Sequence, residues 1–140
     1  MNKILIVKTS WYEDHISKMF GISKEILGKE FICLDTVAPG ALELSALASH
    51  KISTSDDKYK AIIFLGIVIR GETSHYDYVC NESARALMQL SIEGLSIGYG
   101  ILTCENKEQA IARANPKGLN KGKAATLACL RMIELKKEID

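Results

Sequence analysis

Two runs constrain this chain more than anything else in it. Ile4-Leu5-Ile6-Val7 and Ala61-Ile62-Ile63-Phe64-Leu65 are apolar at every position rather than at alternate ones. A strand with one wet face alternates; a strand covered on both faces does not. These two runs therefore read as inner strands of a parallel sheet with helices on either side. They lie within the apolar segments 3–8 and 61–68, and two further segments, 31–34 and 95–102, complete a set of four strands. The stretches between are long enough for helices. Residues 14–27 place Ile16, Met19, Phe20, Ser23 and Leu27 on one stripe, and residues 76–90 do the same for Val79, Ser83, Ala86, Leu87 and Leu90. Residues 122–139 carry Leu127, Leu130, Met132, Ile133 and Leu135. A shorter helix is expected near 105–114, closed by the breaker Asn115-Pro116-Lys117-Gly118.

Strand–helix alternation with right-handed crossovers predicts a three-layer α/β/α fold, a flavodoxin-like four-stranded parallel sheet in a single domain over residues 1–140. At 140 residues the chain can bury a real core. With 47% apolar and 25% charged residues it has a globular composition, and a formal net charge of +1 offers no basic surface for nucleic acid and no polybasic membrane patch. The apolar stretch 61–69 is far short of a membrane span, and the run after Lys3 is too short for a secretory leader and is interrupted by Lys8. A soluble cytoplasmic protein is expected. Cys33, Cys80, Cys104 and Cys129 show no CxxC spacing, and His15, His50 and His75 do not alternate with them as ligands would, so no metal is expected. Cys33 and Cys129 stand in apolar runs and read as buried thiols.

Ligands of open parallel sheets bind beyond the carboxyl ends of the strands, which directs attention to residues 9–15, 36–44, 67–75 and 103–113. The third of these is the richest. Ile67, Val68 and Ile69 leave a buried strand, Gly71 permits a close turn, and Thr73 or Ser74 can cap the helix that follows. Free amides at such a helix start suit an anion such as phosphate, although an ordinary capped turn explains the same residues. No GxxxxGK[ST] motif is present, which excludes a P-loop nucleotide site. His75 at the same junction suits proton transfer near neutral pH, or simply decorates a helix end. In the second loop Pro39 reads as a first helical residue, which puts Glu43 in the first turn, favoured there by the helix dipole or poised for a hydroxyl-rich ligand. Trp11, the only tryptophan, follows the first strand, where it can stack on a planar ring or plug the end of the core. Arg113 complements a helix C-terminus, and with Lys117, Lys121 and Lys123 forms either a solvated face or half of a phosphate clamp.

Together these segments resemble the lumazine synthase family over nearly the whole chain. The resemblance is carried by Ile6-Val7 with Ser10-Trp11; by Pro39-Gly40-Ala41-Leu42-Glu43-Leu44; and by the long block from Ala61 to Tyr76 containing Leu65-Gly66-Ile67-Val68-Ile69-Arg70-Gly71-Glu72-Thr73-Ser74-His75. Tyr99-Gly100-Ile101-Leu102-Thr103, Glu108-Gln109-Ala110-Ile111-Ala112-Arg113-Ala114 and Asn120-Lys121-Gly122-Lys123-Ala124-Ala125 complete it. The resemblance implies condensation of 5-amino-6-ribitylaminouracil with 3,4-dihydroxy-2-butanone 4-phosphate to 6,7-dimethyl-8-ribityllumazine, with loss of phosphate and water and no metal or organic cofactor. It implies that Trp11 stacks on the pyrimidine, that Ala41, Leu42 and Glu43 hold the ribityl chain, and that Ile67, Val68 and Ile69 line the ring. It further implies that Glu72 and Thr73 present amides to the phosphate, that Arg113 and Lys121 supply positive charge, that His75 moves protons, and that Tyr99 covers the ring from an adjacent subunit.

Three features depart from the family pattern. The Trp11-to-Ile16 gap is one residue longer than usual, Leu42 and Tyr99 replace common phenylalanines, and the arm that some relatives add to a neighbour's sheet is not expected here. The resemblance implies a homopentamer acting on small molecules, and leaves a decamer or a shell of twelve pentamers open. A non-catalytic flavin- or lumazine-binding shell protein is the rival reading, and the joint presence of His75 and Arg113 argues against it. A flavodoxin-like nucleotide or phospho-acceptor domain would call for acidic residues after the first strand, which Lys8-Thr9-Ser10-Trp11 does not supply.

Overall fold

The computed structural model describes residues 2–139. Four strands, β1 (Asn2–Thr9), β2 (Phe31–Ala38), β3 (Tyr59–Ile69) and β4 (Ser96–Cys104), form one parallel sheet in the order β2-β1-β3-β4. The helices are α1 (Glu13–Leu27), α2 (Leu44–Thr54), α3 (His75–Ile92), α4 (Lys107–Ala114) and α5 (Lys121–Ile139), and a 3-10 turn (Ala41–Glu43) precedes α2. The three-layer flavodoxin-like expectation is therefore met.

The uninterrupted apolar runs do what their pattern requires. Ile4 and Ile6 of β1, with Ala61, Ile63, Leu65 and Ile67 of β3, face a core closed by Ile16, Met19 and Leu27 of α1, Ala110 and Ala114 of α4, and Cys129 and Ile133 of α5. Leu5 and Val7, with Ile62 and Phe64, face the opposite core beneath Leu44 and Ala48 of α2 and Val79 and Leu87 of α3. Successive side chains of one strand thus enter different cores, the geometric meaning of apolar residues without alternation. The edge strand β2 is only half covered, and it runs on through Asp35, four residues past the expected Leu34. Lys8 makes this possible: it pairs with Asp35 at 3.2 Å and stacks over the Phe20 ring at 3.5 Å.

Two helical expectations change. A helix was expected from Pro39; instead Gly40 is extended, and the chain makes a 3-10 turn before α2 begins at Leu44. In α5 the expected stripe is buried only in part, at Ile133 and, partly, Leu130. Leu127 and Met132 are exposed, while Ala125, Thr126, Cys129 and Ile133 are buried. Small residues face the sheet because α5 lies against the glycines of β4: a Cβ on Gly98 would come within 2.7 Å of the Ala125 carbonyl oxygen. Ser23, polar within the α1 stripe, shares a buried 2.7 Å hydrogen bond with Thr126 of α5. All four cysteines are free thiols. Cys104 and Cys129 are buried, but Cys33, expected inside, is only partly covered because it lies on the edge strand. No described helix is long and apolar enough to cross a membrane.

Candidate functional site

The direction of winding reverses between β1 and β3, since β2 lies on one side of β1 and β3 on the other. Open parallel sheets bind ligands at such a reversal, beyond the carboxyl ends of the strands. A pocket of about 490 Å³ lies there, lined by Trp11 and Tyr12 after β1, residues 39–43 after β2, and Ile67, Val68 and Ile69 at the end of β3. Gly71, Thr73 and His75, at the entry to α3, form its remaining wall together with Tyr76 and Val79. Seven residues that the sequence assigned to the pyrimidine side (Trp11, Ala41, Leu42, Glu43, Ile67, Val68 and Ile69) therefore share one cavity with Thr73 and His75.

Local chemistry explains the shape of that cavity. The Ser10 amide donates to the Ala38 carbonyl at 3.2 Å, which draws the ends of β1 and β2 together. Trp11 then projects with 64% of its surface exposed, so it is a wall of the pocket and not a plug of the core. Gly40 keeps space between Trp11 and Glu43: a Cβ there would stand 3.2 Å from the Glu43 Oε2 and 3.9 Å from the indole. Glu43 is the N-cap of α2, and its carboxylate points back toward Gly40 rather than capping the helix. At the third loop the His75 amide donates to the Thr73 hydroxyl at 3.3 Å, while Ser74, the N-cap residue of α3, makes no side-chain cap bond. His75 is itself the first residue of α3, one residue earlier than expected, and it is exposed.

Glu72, Tyr99, Arg113 and Lys121 are not in this cavity. Tyr99, Arg113 and Lys121 line a second groove of about 400 Å³ along the outer edge of β4, floored by Ala124, Ala125 and Ala128 of α5. Two strands, β1 and β3, occupy the middle of the sheet and β4 its far edge, so the groove is remote from the loop that holds Trp11. Burial pushes the Tyr99 phenol above its ordinary range, against the opposing hydrogen bond of the Ser83 hydroxyl. Arg113 donates to the Gln109 carbonyl at 3.1 Å, and among the described residues no carboxylate lies in ion-pair distance of it. Its positive charge is available to an anionic ligand. Arg70, the other arginine near the loops, is bound to two carboxylates.

A family model for 6,7-dimethyl-8-ribityllumazine synthase matches residues 1–137. The chain belongs to that family. It is 45% identical to 6,7-dimethyl-8-ribityllumazine synthase 1 of Rhizobium meliloti, covering 97% of this chain and 92% of the relative. It is 43% identical to the 6,7-dimethyl-8-ribityllumazine synthases of Zymomonas mobilis, over 99% of both chains, and of Agrobacterium fabrum, over 97% of this chain and 95% of the relative. Membership makes the chain a transferase of riboflavin biosynthesis.

Sequence reasoning passed over one feature of the pocket. Tyr12 adopts the left-handed conformation (φ 57°, ψ 47°) and its carbonyl accepts from two first-turn amides of α1, those of His15 and Ile16, both at 3.0 Å. A bulky residue in that region is a true outlier, and nothing in the residue type announces it. Its ring lies 6.5 Å from that of Trp11, tilted by 47°, so two aromatics border the β1 side of the cavity. The longer Trp11-to-Ile16 gap noted in the sequence falls on this turn.

Proposed function

We propose that this chain condenses 5-amino-6-ribitylaminouracil with 3,4-dihydroxy-2-butanone 4-phosphate at a site completed by a second copy of itself, in a closed cytoplasmic ring of five. The supporting observation is the separation of the switch-point pocket from the β4 groove. The pocket offers an aromatic wall, a carboxylate and a helix N-terminus. The groove offers another aromatic and the arginine whose charge no carboxylate among the described residues takes up. Each holds what the other lacks, and head-to-tail packing around a ring would set the groove of one copy against the pocket of the next.

In that arrangement Trp11 stacks on the pyrimidine, with Tyr99 of the adjacent copy on the other face. Glu43 and the amides near Ala41 and Leu42 receive the ribityl hydroxyls, while the strand end at Ile67, Val68 and Ile69 borders the ring. The phosphate meets the amides of Glu72 and Thr73 at the α3 N-terminus, where the helix dipole favours an anion. Arg113 and Lys121 come from the adjacent copy. The 5-amino group attacks the ketone carbon and water leaves as the imine forms. Phosphate is then eliminated, the ribitylamino nitrogen closes the ring, and a second water departs. His75 moves the protons of these steps. No metal or organic cofactor takes part, and much of the acceleration comes from holding two reactive partners together.

Mixed oligomers test this reading. Trp11→Ala and Tyr99→Ala chains are each impaired alone, because each ruins one wall of every site. Refolded together in equal amounts, roughly one interface in four pairs an intact Trp11 with an intact Tyr99, and activity climbs toward that fraction. A mixture no better than the mean of its components shows that the site is built within one chain and refutes the shared site.

A further inference from the structure

The loop that brings Thr73 and His75 to the pocket has little packing to hold it. Residues 70–75 are all exposed, a Cβ on Gly71 would meet nothing within 4 Å, and the Thr73 hydroxyl is the side-chain contact within the loop. Its two ends are nevertheless fastened by one side chain. The Arg70 Nε donates to Glu105 Oε2 at 2.7 Å, and its two terminal nitrogens donate to the Asp77 carboxylate at 3.2 and 3.4 Å. The guanidinium lies 4.3 Å from the centroid of the Tyr76 ring, and the Arg70 amide donates to the Cys104 carbonyl at 2.9 Å. The end of β3, the first turn of α3 and the exit of β4 thus converge on Arg70. Glu105 is itself anchored, because its amide donates to the Gln109 side chain at 2.8 Å. The hydrogen bonds that Arg70 donates to Glu105 and then to Asp77 raise its pKa above the ordinary value.

We propose that Arg70 is a positioning residue: its clamp on Asp77 and Glu105, rather than packing, sets residues 71–75 so that the loop amides and His75 meet the butanone phosphate. Arg70 is not a phosphate ligand in this scheme, because two carboxylates already neutralise it. The planar fork of an arginine suits the task, since it can engage two acids in fixed directions while stacking on a ring; a lysine ammonium has no such geometry. The inference rests on the proposed reaction and assigns it a residue outside the substrate contacts.

Steady-state kinetics of Arg70→Ala, Arg70→Lys and Glu105→Gln, with each substrate varied in turn, test it. Arg70→Ala lowers kcat/KM for the butanone phosphate about ten- to a hundredfold, the scale of a small displacement of reacting groups, and leaves KM for the pyrimidine within about twofold. The melting temperature barely moves, because exposed ion pairs contribute little to stability. Arg70→Lys recovers part of the loss. Glu105→Gln reproduces the same split between substrates although it lies outside the pocket, and combining it with Arg70→Ala adds little, as expected of one shared contact. Wild-type kinetics in Arg70→Ala, equal losses for both substrates, or losses that multiply in the double variant overturn the clamp. Amide hydrogen exchange of residues 71–75 supplies a reading independent of turnover: it accelerates in Arg70→Ala alone among the loops, and unchanged exchange overturns the proposal. Should the wild-type chain turn over neither substrate, the proposed reaction fails while the exchange measurement still decides the clamp.

Discussion

Gly98→Ala changes one hydrogen for a methyl group at the tightest helix–sheet contact of the fold. The new Cβ stands 2.7 Å from the Ala125 carbonyl oxygen, 3.2 Å from its carbon and 3.3 Å from the Cys129 Cβ. Ordinary contact begins at 3.4 Å, so the shortfall against the oxygen is about 0.7 Å, and the obstacle is helix backbone that no rotamer change can remove. Either α5 lifts as a unit or β4 bows. Overpacking of this kind costs about 1–3 kcal/mol, and a backbone obstacle belongs in the upper half of that range. For a chain of this size each kcal/mol displaces the melting midpoint by about 4 °C, so a fall of roughly 8–12 °C is expected. Gly21→Ala provides the opposite sign. Gly21 lies inside α1 with nothing within 4 Å of a Cβ, so the better helix propensity of alanine stabilises by up to about 1 kcal/mol. Thermal unfolding followed by circular dichroism measures both. A Gly98→Ala protein that melts within about 2 °C of wild type, or a Gly21→Ala protein that falls with it, refutes the claim that backbone proximity to α5 is what requires glycine in β4.

Arg113→Ala raises KM for the butanone phosphate by at least about tenfold, the scale of a lost charge-assisted hydrogen bond, with KM for the pyrimidine nearly unchanged; equal rises in both make Arg113 structural. His75→Ala slows turnover by about tenfold to a hundredfold without unfolding the chain, and a rate and pH profile identical to wild type remove His75 from the reaction. Burial raises the Cys129 thiol from 9.0 to about 12, so the folded chain keeps a proton that the unfolded chain surrenders. The thiol's contribution to stability is intact below pH 9.0 and declines from there toward pH 12, and alkylation of Cys129 at pH 8, below its ordinary pKa, proceeds only through opening of the fold. Rapid labelling of Cys129 in the folded protein contradicts this burial.

The two inner strands were legible because full burial on both faces leaves a pattern that no other element shares at that length. The facing of α5 was not, because Gly98 and Gly100 invert the usual rule: where the sheet comes this close, the helix must present Ala125 and Cys129, and Leu127 and Met132 turn outward. The start of α2 was misplaced because Pro39 suits a bend as well as a first helical turn, and α2 is fully buried only at Leu44 and Ala48. For the candidate site, the resemblance named residues but could not distribute them. Strand order divides them between pocket and groove, and strand order is a property of pairing partners far apart in sequence. Arg70 and Arg113 look alike in the sequence; their different roles depend on whether carboxylates surround them, which only the folded loops determine.

The groove beside β4 has a consequence for how the protein behaves at different abundances. Its outward edge is the free edge of β4 and carries Tyr99, 41% accessible, along with the half-buried Arg113 side chain. If the two halves of the site reside on different copies, as proposed, the catalyst obeys the law of mass action twice, once for substrate and once for itself. On dilution, specific activity would decay while each chain keeps its helices and strands, and the melting temperature would climb with protein concentration. Expression level would then set not merely the number of enzymes in a cell but the fraction of chains that are enzymes at all.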